Sequence, residues 1–406
     1  MRQTFVAALA ALLLLSSCAA PPAPEENSLP PEPPAEELPQ EPLAPLEPTE
    51  EELAADRVEA LLSSMTLEEK VGQLFFVRCP EVNALEDVAA CRLGGYLLFG
   101  RDFKDSAGAY LTAEQVREKI QSYQDAALIP LLIGVDEEGG SVARASWNPN
   151  LFPGGKCRSP QWLLNHRSGE RDVFAEDAWE KSTTLLGYGV NVNLAPVCDV
   201  SMDPGSFIYD RTLGLDAAAQ ADYAESVVSA MAESGIGSVL KHFPGYGDNA
   251  DTHTGIALDE RPMEAFLEGD FLPFRAGLAA GGRTTAVLVS HNIVSCMDPD
   301  LPASLSPAVH EILRQELDFD GVVMTDDLAM KAVADYAKDG AVAVMALAAG
   351  NDLLITGDYR SQIPKVLEAV ENGALSETVV DGACRRVLAW KQALGLIHIG
   401  VATLSQ

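Results

Sequence analysis

The sequence predicts an α/β fold, a (β/α)8 TIM-type barrel, and three observations carry that prediction. Short apolar runs recur eight times, each ending in a polar residue or glycine and leading into a stretch of helical periodicity. The runs do not alternate apolar with polar, as expected of strands buried on both faces. Several of their C-terminal ends carry charge, and such barrels build their working surface at those ends. An open doubly wound sheet is the competing arrangement. No G-x-G-x-x-G follows the first run, which counts against it.

The eight runs lie at 73–77, 95–99, 131–135, 190–195, 238–240, 286–289, 321–324 and 352–355. Helical patterns fall at 113–127, 173–186, 217–234, 263–280, 306–317, 341–349 and 363–372, with a last one at 382–394. Ahead of the first run, Thr66 and Glu69 have the spacing of a capping box and open a further helix.

Residues 1–18 read as a lipoprotein signal, 19–55 as a linker and 56–406 as the barrel domain. Arg2 gives a short basic start and residues 5–15 an apolar stretch; the small residues ahead of Cys18 resemble a bacterial lipobox. Cys18 is then the lipidated first residue of a mature protein held at the outer face of a bacterial membrane. The alternative is an ordinary secretory signal with an incidental cysteine. The linker is dominated by Pro and Glu and cannot bury enough apolar surface to fold, so a disordered, extended tether is expected.

The formal charge of −32 argues against nucleic acid as a partner, because phosphate binding needs clustered Lys and Arg. No other run is apolar enough to span a membrane, so a lipid anchor is the expected membrane contact. Six cysteines remain beyond Cys18, too scattered for a compact disulfide framework; buried free thiols are expected for most. No metal cluster stands out, no cofactor is expected, and a monomer is expected.

The most informative stretch is Lys241 to His253, K-H-F-P-G-Y-G-D-N-A-D-T-H. An apolar run feeds into Lys241 and His242, then Pro244, Gly245 and Gly247 break regular structure. Asp251 and His253 stand two apart in the loop that follows, and an Asp beside a His orients the ring and raises its basicity. A second acidic strand end, Thr325-Asp326-Asp327, lies further along.

These residues resemble the K-H-F-P-G-x-G…D-[ST]-H signature of glycoside hydrolase family 3, in its single-domain β-N-acetylglucosaminidase branch. Tyr246 stands where that branch most often has His, and the segment from Gly247 to Asp251 is one residue shorter than the common form. The resemblance runs from about Met65 to Leu394. It implies the barrel fold, retention of configuration, no cofactor, and removal of terminal β-linked N-acetylglucosamine. With the signal it suggests muropeptide-like saccharides from the cell wall as substrate.

A retaining glycosidase needs a nucleophilic carboxylate and a proton donor, about 5 to 5.5 Å apart. Asp326 matches the family nucleophile in G-V-V-M-T-D-D. Asp327 is the alternative, but strand alternation turns it away and a helix N-cap suits it better. His253 matches the branch's acid/base residue with Asp251 as its partner. Many two-domain members use a Glu on a second domain; here the chain ends soon after the last predicted helix, so the loop pair is expected to serve. Asp136 resembles the Asp that grips distal hydroxyls. Arg144, Arg211, Lys241 and His242 resemble the polar ring around the sugar. Lys241 has a second reading, neutralising Asp326 or Asp136. His291 divides between substrate contact and packing. Two other functions stay open: a β-glucosidase or glycoside phosphorylase of the same family, and a non-catalytic sugar-binding lipoprotein.

Overall fold

A computed structural model describes residues 49–166, 172–249, 255, 257–334, 336 and 341–397. The expected signal, Cys18 and most of the linker lie outside the described residues, as do Asp251 and His253.

All eight predicted strands form, in one parallel sheet. They are β1 (Phe75–Arg78), β2 (Gly95–Leu98), β3 (Leu132–Val135), β4 (Val192–Asn193), β5 (Gly237–Phe243), β7 (Thr285–Val289), β9 (Val323–Thr325) and β10 (Leu354–Thr356). Two short strands unseen in the sequence, β6 (Leu258–Asp259) and β8 (Ile293–Val294), pair with each other beside the barrel. The sheet runs β10-β1-β2-β3-β4-β5-β7-β9, and a parallel bridge between Met324 and Leu353 joins its two ends. The predicted eight-stranded α/β barrel is therefore the observed fold.

The seam has a side chain in place of part of its ladder. Asp352 accepts from the backbone N–H of Val323 at 2.9 Å, from Arg314 Nη2 at 3.0 Å and from Arg386 Nε at 2.8 Å. One fully buried carboxylate thus ties β9 to two outer helices, Pro307–Glu316 and Glu377–Ala393. Inside the barrel the Phe76 ring reaches across to β3. A β-carbon on Gly134 would lie 2.4 Å from Phe76 Cζ, so only glycine leaves room for the ring.

Two differences from the sequence reading have local causes. The helix Glu50–Ser64 begins inside the stretch read as linker to residue 55. Thr49 and Glu52 form a capping box, and Val58 and Leu62 are buried, so the last acidic residues of that stretch belong to a folded turn. The pattern at 263–280 is a helix interrupted by a π-helical segment, Phe266–Asp270. Pro273 has no N–H to donate to the carbonyl four residues back, so regular α-helical bonding fails there. The capping box at Thr66 and Glu69 is present.

All six described cysteines are free thiols; Cys79, Cys198 and Cys384 are buried, so burial holds for three rather than for most. Among the described residues, no helix is long and apolar enough to cross a membrane, and no cluster of ligands suits a metal ion.

Candidate active site

The C-terminal ends of the strands carry a continuous polar network. At the end of β3, alternation divides three acidic residues. Asp136 and Glu138 both reach Lys241, with Nζ 2.7 Å from Asp136 Oδ1 and 2.6 Å from Glu138 Oε1. Glu137, between them, turns the other way and is fully buried. Its carboxylate accepts the backbone N–H groups of Arg144, Ala145 and Ser146 at 2.9, 2.7 and 3.1 Å. Glu137 therefore fixes the loop that delivers Arg144 to the rim. Arg144 Nη2 lies 3.9 Å from Asp136 Oδ2, and its buried Nε has no hydrogen-bond partner among the described residues.

Lys241 and His242 are neighbours at the end of β5, and regular alternation would send them to opposite faces. Both nevertheless engage the same network, and the peptide between them is cis. His242 Nδ1 lies 2.7 Å from Asp199 Oδ2 and its Nε2 lies 3.1 Å from Arg211 Nη2. Arg211 forms a two-pronged bond with Glu138, Nε to Oε2 at 2.9 Å and Nη2 to Oε1 at 2.8 Å. Burial alone would raise the Glu138 pKa. Arg211 and Lys241 outweigh it, and the carboxyl is held well below the usual carboxylate range. Burial likewise opposes the charge on Lys241, but Asp136 and Glu138 raise its pKa above the ordinary lysine value. The result is a buried cluster whose charges persist across the neutral range.

Asp326 follows β9. The register Phe243↔Val289↔Thr325 places it at the same level as Lys241–Phe243, two strands round the ring, about 10 Å away at ordinary strand spacing. Asp326 is partly exposed, and its Oδ1 accepts from the Asp327 N–H at 2.7 Å. Asp327 is buried, ion-paired with Arg78, and accepts from the Ala329 N–H at 2.9 Å. Of the two adjacent carboxylates, the first is partly exposed and the second is built into the turn. His291 is fully buried, with Nδ1 2.7 Å from Ser304 Oγ and Nε2 3.0 Å from the Asp327 carbonyl oxygen. Its ring is thereby joined to the backbone of the Asp326–Asp327 turn.

Such a network suits a polyhydroxylated ligand: fixed, charged donors and acceptors share the strand ends with a partly exposed carboxylate. Residues 66–390 match the glycosyl hydrolase family 3 N-terminal domain. The chain belongs to glycosyl hydrolase family 3.

A β-hexosaminidase from Glaesserella parasuis is 31% identical over 277 residues, covering 68% of this chain and 77% of that protein. A family 3 β-N-acetylglucosaminidase from Paenibacillus sp. FPU-7 superposes with a TM-score of 0.73 at 30% identity; the match covers 84% of this chain and 65% of that one. A family 3 glycosyl hydrolase from Mycobacterium smegmatis superposes with a TM-score of 0.71 at 28% identity, covering 81% of this chain and 98% of that one.

Within this family 3 site, the structure gathers Asp136, Arg144, Arg211, Lys241 and His242 into one network and sets Asp326 on the same rim. The sequence reading gave no part to Glu138, Asp199 or Arg78. The signal for Glu138 was available: two residues past Asp136 on a strand end, it shares Asp136's face. Nothing local marks Arg78 or Asp199, whose partners lie 249 and 43 positions away.

Proposed function

We propose that the protein is a retaining, exo-acting glycosidase of the β-hexosaminidase type that removes terminal β-linked N-acetylglucosamine. Asp326 attacks the anomeric carbon to give a covalent glycosyl-enzyme. His253, oriented by Asp251, protonates the leaving oxygen and then activates water. Asp136, Arg144, Arg211, Lys241 and His242 hold the sugar's hydroxyl groups. The observation that carries this reading is the partly exposed Asp326 at the level of the Lys241–Asp136–Glu138 cluster. The names of the relatives support the choice of sugar. Cell-wall muropeptide fragments as substrate, a lipid anchor on Cys18 and a location outside the cytoplasm belong to the same proposal, on the strength of the N-terminal sequence.

The test is turnover of an aryl β-N-acetylglucosaminide with and without phosphate. Wild type should release free N-acetylglucosamine, and Asp326→Ala should not. Full activity in the variant would end the proposal, and a sugar 1-phosphate product would change hydrolysis to phosphorolysis. Mass spectrometry of a trapped adduct should place the sugar on the peptide containing Asp326.

A further inference from the structure

The turn that carries Asp326 is held by both neighbouring strands and by one imidazole. The Asp326 N–H donates to the Val289 carbonyl at the end of β7, and the Leu328 N–H donates to the Ile355 carbonyl in β10, each at 2.9 Å. Two residues past Val289, His291 Nε2 lies 3.0 Å from the Asp327 carbonyl oxygen. That oxygen also accepts the Met330 N–H at 2.9 Å. The chain at the end of β7 therefore holds the turn both ahead of the Asp326 side chain and behind it, once by backbone and once by a ring.

The ring is itself fixed. A carbonyl oxygen only accepts, so Nε2 carries the proton, and in the neutral ring Nδ1 is left to accept. The Ser304 hydroxyl, 2.7 Å from Nδ1, supplies the donor. Ser304 lies in a single helical turn, Ala303–Leu305. Its N–H donates to the Ser290 carbonyl at 3.0 Å, and the Ala303 N–H donates to the Asn292 carbonyl at 2.9 Å. Bonds to the residues on either side of His291 thus fix the hydroxyl that orients its ring. The Ser304 carbonyl also accepts from Asn351 Nδ2 at 2.7 Å. His291 and Ser304 are fully buried, so neither is open to a sugar. Met330 already satisfies the Asp327 carbonyl, so the imidazole is not needed to keep that oxygen from being stranded. The net stability from one neutral hydrogen bond is about 0.5–1.5 kcal/mol, and apolar replacement of both partners can be nearly neutral. What the second donor does supply is direction, because two donors on one carbonyl set the plane of the peptide that follows Asp327.

We infer that His291, oriented by Ser304, is a positioning residue for the glycosidase reaction: it fixes the turn from which Asp326 attacks, and so the line of approach to the anomeric carbon. This rests on the assignment of Asp326 as nucleophile above. β9 is only three residues long, so the turn after it takes its rigidity from its neighbours. The residues assigned to hold the sugar, Asp136, Arg144, Arg211, Lys241 and His242, stand on β5 and on the loops after β3 and β4. The effect of His291 should therefore fall on formation of the glycosyl-enzyme and spare affinity for the sugar.

The experiment follows labelling of the enzyme by a fluorinated N-acetylglucosaminyl fluoride that accumulates as the glycosyl-enzyme. An Asp326 carboxylate oxygen bonds to the anomeric carbon as the C–F bond breaks and fluoride leaves. Fluoride needs no proton to depart, so the proton donor drops out of the measurement. His291→Phe keeps a ring and removes the donor to Asp327. Its labelling rate at saturation should fall about 10- to 100-fold, with the half-saturating concentration within about twofold of wild type. His291→Gln can place an amide N–H on the same carbonyl and should label at least about fivefold faster than His291→Phe. The rate constant at saturation does not depend on the folded fraction, so lost stability alone would leave it unchanged. Ser304→Ala keeps the imidazole and removes the hydroxyl that orients it. It should slow the same step about two- to tenfold, and it carries the test if His291→Phe does not fold. A wild-type labelling rate in the folded variant, or His291→Gln no faster than His291→Phe, would overturn the positioning role. A wild-type adduct on a residue other than Asp326 would instead overturn the assignment of the nucleophile.

Discussion

Asp199 holds His242 at two points, its Oδ2 accepting from the His242 backbone N–H at 3.1 Å and lying 2.7 Å from Nδ1. The carboxylate can only accept, so the Nδ1 proton lies between them and Nε2 faces Arg211 as an acceptor. The imidazole is thereby fixed in tautomer and in rotation, and Arg211 is held against Glu138.

Asp199→Asn should therefore disturb the polar network at the strand ends without emptying the site. An amide offers one acceptor atom in place of two, so either both bonds from His242 to Oδ2 or the bond from the Tyr246 N–H to Oδ1 is lost. A charge-assisted hydrogen bond contributes about 1.5–3 kcal/mol, so kcat/KM should fall roughly 10- to 100-fold. Steady-state kinetics beside a circular-dichroism check of folding measures this. Wild-type kcat/KM would mean that turnover does not depend on the Asp199 bonds to His242 and Tyr246.

The two adjacent aspartates should separate cleanly. Asp326→Asn keeps the shape and the acceptor for the Asp327 N–H, so its melting temperature should stay close to wild type while kcat drops by roughly 10³-fold or more. Asp327→Asn leaves Arg78 without its ion partner and should destabilise by about 1–3 kcal/mol, with the smaller effect on turnover. Melting curves and turnover for both variants decide it. The reverse pattern would make Asp327 the nucleophile.

The barrel seam offers a stability test far from the chemistry. Asp352→Ala removes a fully buried carboxylate that serves Val323, Arg314 and Arg386. Breaking a buried pair typically costs about 3–5 kcal/mol. Both arginines are partly exposed, 25% and 38%, and can recover water, so roughly 2–3 kcal/mol is expected here. Urea unfolding should show a lower midpoint with an unchanged slope. No shift in midpoint would mean the backbone bonds alone close the ring.

Lys391 predicts a pH dependence. Its side chain is fully buried, and Nζ donates to Gln73 Oε1 at 2.6 Å with no other partner among the described residues. Burial pushes its pKa down to about 7, with Cys384 opposing. An unfolded lysine titrates near 10.4, so between about pH 10.4 and 7 the unfolded chain binds a proton that the folded chain does not. Stability therefore falls as pH drops through that window and levels off below it. The full effect is on the order of a few kcal/mol. Lys391→Met removes it but strands Gln73 Oε1, a loss of about 1–3 kcal/mol. The variant should gain on wild type at about pH 6.5 and lose the gain, or reverse it, at about pH 9.5. The same difference at both pH values in denaturant unfolding would exclude a depressed lysine.

The barrel was legible because its signal is repetitive: eight unalternating apolar runs, each with a polar end, leave few other folds. Helices with strong caps or long periods, such as Val173–Leu186 and Ala217–Ser234, have the bounds expected from the sequence. Elements with weak local signals did not show. The pair β6 and β8 is two residues per strand, too short for any period. The helix from Glu50 was hidden by the acidic composition around it, although Thr49 and Glu52 repeat the capping spacing recognised at Thr66 and Glu69.

What the sequence determined by itself was the set of strand ends and the residue types standing on them. Asp136, Lys241, His242 and Asp326 follow apolar runs, and a run's end is a local property of the chain. Which of those residues meet was decided only in three dimensions. Lys241 lies between Asp136 and Glu138, His242 between Asp199 and Arg211, and Arg261 between Asp259 and Asp270. Coulomb attraction and hydrogen bonding act through distances of about 3 Å and take no account of separation along the chain, so closing the barrel made the pairs that no local pattern could announce.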